Sequence, residues 1–267
     1  MIIKEKKCSS IISNSEIYGV DYSINPYTGC EHGCKYCYAT FMKRFTDHDE
    51  SWGEFVDVKI NSRQVLENDL MKKNKGSILL SSVTDPYQPL EKKYEITRRI
   101  LERLSNTKFE VNILTKSKLV TRDLDILKEF KSERISVGFT VNFLDENDKE
   151  IWEPGASEIL DRIEALAKIS RNNIDCYVHV GPYFEGITNL EKILNKTENY
   201  IEELQIESIN LNKRDKIIMK IIRENYPHLI EDYKKIKENK FSHIQSLEKK
   251  VNKLRKERTV PIKLFLE

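Results

Sequence analysis

Three of the five cysteines in this 267-residue chain fall within eight consecutive positions. Cys30, Cys34 and Cys37 have the spacing C-x3-C-x2-C in the segment GCEHGCKYCYA. Thiolates at such short separations can surround one compact inorganic centre, and Gly29 and Gly33 give the intervening backbone the freedom to do so. A single zinc ion and an iron-sulfur cluster are therefore the two candidates.

A zinc ion and an iron-sulfur cluster differ in how many protein ligands they need. Structural zinc prefers four protein ligands, and the segment offers one C-x2-C pair, one further cysteine and His32. An electron-transfer cluster also takes four cysteines and would need Cys8 or Cys176 as a distant ligand, although both are predicted to be structural. A cluster held by only three cysteines leaves one iron open, and an open coordination position is typical of a catalytic metal site.

The composition indicates a soluble globular protein, with 39% hydrophobic and 33% charged residues. The net charge of +2 is uneven, because residues 213–258 carry 15 Lys and Arg against 7 Asp and Glu. The chain has no apolar run long enough to span a membrane and no apolar signal segment at its start, so we predict a cytoplasmic protein without membrane contact. Disulfides are improbable in that reducing compartment.

Short apolar runs alternate with amphipathic segments along most of the chain. Strands are predicted at 20–24, 77–83, 109–115, 134–141, 174–180 and 207–212. Helices are predicted at 36–45, 94–106, 121–131, 157–170 and 188–204. Six strand-helix units predict an α/β fold with a parallel sheet whose outer face is covered by helices.

The alternation stops after residue 212, which predicts two regions. Residues 1–212 form the α/β domain, and residues 213–267 form a basic helical C-terminal extension, packed on the domain or interacting with a partner. Within the extension, the apolar positions of 243–257 predict a helix with one buried stripe, and VPIKLFLE at the end predicts an edge strand.

Polar residues follow the predicted strands, where the active face of a parallel α/β protein lies. The cysteines follow the first strand, residues 82–87 the second, Lys116 and Ser117 the third, and Thr140 the fourth. These residues are therefore predicted to converge on one edge of the sheet.

The cysteine spacing, with the aromatic Tyr36 just before the last cysteine, resembles the radical S-adenosylmethionine (radical SAM) enzymes. The segments DYSINPYTGCEHGCKYCYA, TDPYQPLEKKYEITRRILE, LTKSKLVTRDLDIL and EPGASEILDRIEALAKI are similar to the spore photoproduct lyase-like (DNA repair photolyase-like) branch. The resemblance covers roughly residues 15–212 and implies a partial (β/α)6 TIM-like barrel, in agreement with the six units.

The resemblance implies two cofactors and a partner. Cys30, Cys34 and Cys37 would hold a [4Fe-4S] cluster whose open iron is chelated by S-adenosylmethionine. An electron from the reduced cluster would cleave the cofactor to methionine and a 5′-deoxyadenosyl radical, which abstracts hydrogen from a substrate. The implied partner is an electron donor of the flavodoxin or ferredoxin type.

The resemblance also implies contacts between the chain and S-adenosylmethionine. Tyr36 would contact the adenine, and Ser82, Thr84 and Asp85 would lie where the family binds the methionyl amino group. Lys116 would pair with the methionyl carboxylate.

Ser117 or Thr140 would bond to the ribose or the carboxylate, by the same resemblance. No catalytic role is predicted for His179.

We therefore predict a radical SAM enzyme, lyase-like or oxidoreductase-like, with an unidentified substrate. Spore photoproduct lyases use a cysteine near the end of the second strand as hydrogen donor, whereas this chain has Ser81 and Ser82 there. One alternative is a non-catalytic iron-sulfur electron carrier or metal-stabilised module. Another is a nucleic-acid repair enzyme that binds its substrate through the basic C-terminal segment.

Overall fold

The computed structural model describes residues 1–266 and, at positions 212 and 213, the backbone alone. Glu267, the last residue of the predicted edge-strand segment, lies outside the described residues. Within the described part, the strands are β1 (Ile2–Lys6), β2 (Ile12–Asn14), β3 (Tyr22–Ile24), β4 (Tyr27–Thr28), β5 (Phe55–Lys59), β6 (Ser77–Leu80), β7 (Glu110–Thr115), β8 (Ile135–Thr140), β9 (Asp175–Tyr183), β10 (Glu203–Ser208) and β11 (Ile262–Phe265).

The α-helices are α1 (Ser62–Leu70), α2 (Glu91–Tyr94), α3 (Ile96–Leu104), α4 (Leu124–Leu127), α5 (Glu146–Trp152), α6 (Ile159–Ser170), α7 (Leu190–Thr197), α8 (Leu211–Asn225), α9 (Ile230–Glu238) and α10 (Lys240–Glu257). Short 3-10 helices cover Tyr38–Phe45, Lys118–Asp123, Ser132–Arg134, Glu198–Tyr200 and Pro227–Leu229. The predicted helix at 36–45 is thus a 3-10 helix that begins after the last clustered cysteine.

The larger sheet has the strand order β11-β10-β9-β8-β7-β6-β3-β2. Neighbouring strands from β3 to β11 are parallel, and β2 is antiparallel to β3. Within the described residues β2 and β11 end the ladder and do not pair with each other, so the sheet is an open, partial barrel. The six parallel strands β3 and β6–β10, with helices between them, confirm the predicted α/β fold.

A smaller sheet, β1-β5-β4, was not predicted. β1 pairs with β5 in parallel and β4 pairs with β5 antiparallel, with Tyr27 opposite Val58. β4 has only two residues, too few for a period-2 pattern to be visible in the sequence. Its pairing matters because the cysteine loop begins directly after it.

The predicted strand at 207–212 is wrong by four residues. β10 begins at Glu203, and Leu204, Ile206 and Ser208 face inward with exposures of 0–1%. Ile201 and Leu204 are both buried and three residues apart, a spacing that also fits a helix, and the predicted helix at 188–204 therefore extended into this strand. α7 ends at Thr197.

The C-terminal helices pack on the same core as the sheet. Ile222 on α8 has an exposure of 0%. On α10, Leu247, Val251 and Leu254 have exposures of 0–3%, which confirms the predicted buried stripe of the last helix. β11 pairs with β10 at the edge of the sheet, as predicted. No helix in the described residues is long and apolar enough to cross a bilayer.

Candidate metal centre

One cavity collects residues that follow successive strands of the larger sheet. The residues 81–85 follow β6, Lys116 follows β7, Thr140 ends β8 and the residues 208–210 end or follow β10. This is the convergence expected at the carboxyl edge of parallel strands. The predicted site residues on the cavity wall are Cys30, Cys34, Tyr36, Cys37, Ser82, Thr84, Asp85, Lys116 and Thr140.

The backbone of the cysteine loop depends on two glycines in the left-handed region. Gly29 has a φ of +92° and Gly33 a φ of +57°. Gly29 also lies so close to β5 that a Cβ built on it would be 2.4 Å from the carbonyl oxygen of Phe55. The loop can therefore leave β4 only where no side chain is present.

Replacing Gly29 with alanine is expected to destabilise the fold more than replacing Gly19. Both glycines have a positive φ, +92° and +76°, but nothing lies within 4 Å of a Cβ built on Gly19. Both variants share the backbone strain, and only Gly29→Ala adds the clash with Phe55. We expect its free energy of unfolding in urea to fall by roughly 1–3 kcal/mol more. Equal losses in the two variants would contradict this account of the loop.

Two other segments hold the cysteine loop in place. The Thr84 hydroxyl donates to the carbonyl oxygen of Gly29 at 2.6 Å, and the Gly155 N–H donates to the carbonyl oxygen of His32 at 3.0 Å. A Cβ on Gly155 would be 2.2 Å from the carbonyl oxygen of Glu31. The loop is thus fixed both by the segment after β6 and by the turn before α6.

The three thiols are free and largely buried. Burial is the main cause of a raised pKa at all three thiols. The pKa of Cys34 is raised to about 12, that of Cys30 lies well above its usual range, and that of Cys37 is also raised. Without a metal these groups are neutral thiols, whereas a coordinating thiol is deprotonated by the charge of the metal. Three soft donors on one cavity wall, two of them buried and the third partly buried, fit an iron-sulfur cluster.

The remaining cysteines lie away from the cavity wall. Cys8 bonds through its N–H to Asn61 Oδ1 at 2.8 Å, and Cys176 is in β9 with an exposure of 2%. Among the described residues, no three His, Cys, Asp or Glu side chains converge closely enough to hold one metal ion. The arrangement therefore gives no support to a single zinc ion or to a fourth cysteine ligand.

The Asp85 carboxylate connects several segments of the cavity wall by hydrogen bonds. Its carboxylate accepts hydrogen bonds from the Thr115 hydroxyl at 2.7 Å and from the N–H groups of Lys116 and Tyr87, both at 2.8 Å. Its Oδ2 lies 3.3 Å from Nδ1 of His32. Burial acts to raise the pKa of Asp85, but His32 and the other hydrogen bonds hold it at about 2. Asp85 is therefore ionised and links three segments of the wall.

The other predicted contacts differ in where their side chains lie. Ser82 faces the cavity and exchanges hydrogen bonds with Asn25 at 3.0 and 3.2 Å. Thr140 lines the cavity with an exposure of 1%. The Ser117 hydroxyl instead accepts from the Leu119 N–H at 3.2 Å and caps a 3-10 helix. Ser117 is not on the cavity wall, so the structure does not bring it together with the others.

Lys116 supplies a positive charge close to the cysteines. Its Nζ lies 5.7 Å from the centre of the Tyr36 ring. Burial acts to lower the pKa of the ammonium group, but electrostatic interactions with Cys34 and with the carboxylates of Glu153 and Asp85 raise it overall. Lys116 is therefore protonated at neutral pH and available to pair with an anion in the cavity.

The buried carboxylate of Glu153, which was not predicted from the sequence, connects residues behind the cavity wall. Glu153 and Arg162 are both fully buried and form an ion pair at 2.5 Å. The Tyr36 hydroxyl donates to Glu153, and Asn142 donates to Glu153 at 3.2 Å and to the carbonyl oxygen of Gly181 at 3.1 Å. Arg162 acts to lower the pKa of Glu153, against the effect of burial. The network joins the cysteine loop to the ends of β8 and β9.

The opposite wall of the cavity comes from β9, β10 and the start of α8. His179 Nε2 lies 3.3 Å from Glu207 Oε2, and both residues line the cavity together with Ile218. Arg214 Nε donates to the carbonyl oxygen of Lys35 at 3.3 Å. The first turns of α8 therefore contact the cysteine loop across the cavity.

The sequence model described as the radical SAM superfamily matches residues 24–197. A relative from Methanocaldococcus jannaschii, itself without an assigned function, is 36% identical over 250 residues, which are 94% of this chain and 92% of that one. The chain belongs to the radical SAM superfamily. Enzymes of that superfamily use a [4Fe-4S] cluster and S-adenosylmethionine and need a source of electrons.

Two further similarities are more distant. A mutant spore photoproduct lyase with bound AdoMet and dinucleoside spore photoproduct has a TM-score of 0.61 at 15% identity, over 82% of this chain and 65% of that one. A Pseudomonas phage protein named radical SAM Nalpha-GlyT isomerase is 25% identical over 63% of this chain and 34% of the phage protein. The first similarity confirms the partial-barrel fold. The chain spans about two thirds of the lyase and one third of the isomerase.

Proposed function

We propose that this chain is an enzyme in which Cys30, Cys34 and Cys37 hold a [4Fe-4S] cluster and one iron is left open for S-adenosylmethionine. The observation that carries the proposal is the set of three thiols on one cavity wall, two of them buried and the third partly buried, with no other cysteine among its lining residues. When bound, the cluster supplies the electron that cleaves S-adenosylmethionine and yields a 5′-deoxyadenosyl radical. That radical would abstract hydrogen from the substrate.

The residues of the chain bind and orient the cofactor in this proposal. The Lys116 ammonium pairs with the methionyl carboxylate, and Ser82 and Thr84 lie beside the methionyl amino group. Asp85 contributes mainly by positioning, since its oxygens already accept three hydrogen bonds. Tyr36 and Thr140 border the nucleoside. Ser117 is left out because it caps a helix outside the wall.

Replacing Lys116 with methionine is expected to weaken the binding of S-adenosylmethionine about tenfold to a hundredfold. A hydrogen bond to a charged group contributes about 1.5–3 kcal/mol. The matched control is Lys118→Met, because Lys118 pairs with Asp161 at 2.8 Å with a side chain that is 60% exposed. Calorimetric titration of the cluster-loaded protein measures both. Similar affinities for the two variants would contradict the role of Lys116.

The electron donor that we propose is a flavodoxin or a ferredoxin, which can reduce a low-potential cluster. We also propose that the protein works in the cytoplasm, where thiols stay reduced. Residues 1–212 would form the catalytic domain and residues 213–267 an extension that completes its core. The burial of Ile222 and Leu247 supports a packed extension.

A nucleic-acid substrate is the second candidate. It is favoured by the fold shared with a spore photoproduct lyase that has a dinucleoside spore photoproduct bound. The basic extension gives it little further support, because several of its lysines pair with nearby carboxylates, as Lys234 does with Glu231 and Lys237 with Asp215. If Lys249→Glu with Lys256→Glu leaves retention of DNA and RNA at low salt unchanged, binding through the extension is excluded.

The proposed function is tested by product analysis. Anaerobically reconstituted protein, reduced with dithionite, should convert S-adenosylmethionine to 5′-deoxyadenosine and methionine. Deuterium from a labelled candidate substrate should then appear in the 5′-deoxyadenosine, which identifies the substrate at the same time. Failure of fully loaded protein to form 5′-deoxyadenosine would overturn the proposal.

A further inference from the structure

The 3-10 helix Tyr38–Phe45 begins directly after the cysteine loop and has one side in the cavity wall and one side in solvent. Cys37, the least buried of the three thiols, immediately precedes its first turn. The first two residues of the helix line the cavity. Phe41 and Phe45 are not among the lining residues, and their exposures are 42% and 64%. The outer side of the helix is therefore open to another molecule within a few residues of a proposed cluster ligand.

Two exposed aromatic rings and an arginine lie together on this outer side. The guanidinium carbon of Arg44 is 4.6 Å from the centre of the Phe45 ring and 5.4 Å from that of Phe41. Exposed apolar side chains that are grouped in this way are typical of surfaces that contact another molecule. Aromatic residues and arginine are also the types that are enriched at the centres of protein–protein interfaces. The composition of this surface therefore indicates a protein partner.

The charge of the surface indicates what kind of protein it fits. Within residues 1–266, Lys43 and Arg44 form no ion pair, and the Lys43 ammonium donates to the carbonyl oxygen of Asp49 at 2.8 Å. The acidic residues at positions 47 and 50 face a lysine and a histidine, which leaves Asp49 as the carboxylate of this segment without an ion pair. Two unpaired cations against one carboxylate make the surface positive. A positive surface attracts an acidic partner.

The position of the surface indicates what the partner does. In the proposed function the cavity takes S-adenosylmethionine and the substrate, so an electron donor has to approach from outside the cavity. A 3-10 helix rises about 2 Å per residue, which places Phe41 only about 8 Å along the chain from Cys37. Because electron transfer through protein weakens steeply with distance, a donor has to dock close to the cluster. The outer side of this helix meets that requirement.

We propose that the outer side of this helix, formed by Phe41, Lys43, Arg44 and Phe45, is the docking surface for an acidic electron-transfer protein. The inference rests on the proposed function, because it requires the cluster. The partner is oxidised by one electron, which passes to the cluster. The positive charges guide the approach of the partner, and the aromatic rings provide the contact that holds it in place.

The first test reverses the charge of the docking surface. Lys43→Glu with Arg44→Glu is compared with Lys249→Glu with Lys256→Glu, a matched change of two exposed lysines on α10. Each reconstituted full-length protein is mixed anaerobically with a reduced, acidic flavodoxin, and stopped-flow absorbance follows reduction of the cluster. At low ionic strength we expect the rate to fall about tenfold to a hundredfold for the docking-surface variant and to stay unchanged for the control. The difference should shrink as salt is added, because salt screens exposed charges.

The second test removes an aromatic contact without changing any charge. Phe45→Ser is compared with Phe241→Ser on α10, since the two rings have similar exposures of 64% and 68%. We expect Phe45→Ser to slow the reduction by flavodoxin at low and high salt alike, and Phe241→Ser to leave it unchanged. Both rings are exposed, so neither variant should lose the fold, and equal iron content confirms this.

Dithionite distinguishes this inference from the proposed function. This small reductant needs no docking surface, so every variant should form 5′-deoxyadenosine at the wild-type rate when dithionite supplies the electrons. If wild-type protein binds no cluster or forms no product with dithionite, the proposed function itself fails.

Three results would refute the docking surface alone, while the wild-type reaction with dithionite remains intact. One is that all variants are reduced by flavodoxin at the wild-type rate. Another is that neither flavodoxin nor an acidic ferredoxin reduces the wild-type cluster. The third is that the variants lose the reaction with dithionite as well, because the substitutions would then act on the cluster and not on docking.

Discussion

Replacing any one of Cys30, Cys34 or Cys37 with alanine is expected to abolish both the bound cluster and the formation of 5′-deoxyadenosine. The three thiols are the soft donors on the cavity wall, and each would bind a different iron, so no remaining side chain can replace a lost one. After anaerobic reconstitution, iron and sulfide content should fall to background in each variant. The absorbance of the cluster should be lost with it.

The other two cysteines provide matched controls. Cys8→Ser and Cys176→Ala should keep the full iron content and the full rate of S-adenosylmethionine cleavage. Cys8 bonds to Asn61, and Cys176 packs in β9 with an exposure of 2%. Loss of the cluster in either control would mean a fourth cysteine ligand and would favour the non-catalytic electron carrier.

Replacing Glu153 with glutamine is expected to lower the free energy of unfolding by roughly 3–5 kcal/mol, since the fully buried Arg162 would lose its counter-charge. The pKa of Glu153 is held below its ordinary value of 4.5, so the carboxylate stabilises the fold above that pH. The difference between variant and wild type should therefore be complete at neutral pH. It should shrink as the pH falls below 4.5 and through the pKa of Glu153 in the folded protein.

The matched control for this variant is Glu150→Gln in α5, the helix that ends directly before Glu153. Glu150 pairs with Lys149 at 3.4 Å, but its side chain is 68% exposed. Lys149 is buried but keeps Glu158 as a second partner at 3.1 Å, and Glu150 itself is exposed, so we expect a change within about 0.5 kcal/mol. Urea unfolding at neutral and acidic pH measures both variants. A loss for Glu153→Gln no larger than that for Glu150→Gln would show that the buried network does not support the cavity wall.

The parallel sheet and its active edge could be predicted because their signals are local. Each strand from β6 to β9 is a short apolar run followed by an amphipathic segment, and the polar residues of the site follow directly after. The cysteine spacing indicated in one segment where the cavity wall lies and which metal chemistry to propose for it. The residue at which β10 begins could not be predicted, because the spacing of the apolar residues Ile201 and Leu204 also fits a continuation of the preceding helix.

The supporting network could not be predicted because its members are far apart in the sequence. Glu153 reaches Tyr36 across more than a hundred residues, and which carboxylate pairs with Arg162 depends on the packing of α6. One feature of the sequence did indicate a buried ion pair. Arg162 lies three residues after Ile159 and four before Leu166, on the buried face of the predicted helix, and a buried guanidinium needs a buried partner.

In the proposed enzyme, three cysteines hold a cluster with one iron open to S-adenosylmethionine. The most direct test is electron-nuclear double resonance on the reduced protein with S-adenosylmethionine labelled with 17O in the carboxylate or 15N in the amino group. Hyperfine coupling from both labels to the cluster is expected. The absence of both couplings in protein with full iron content would mean a closed cluster and would contradict the claim.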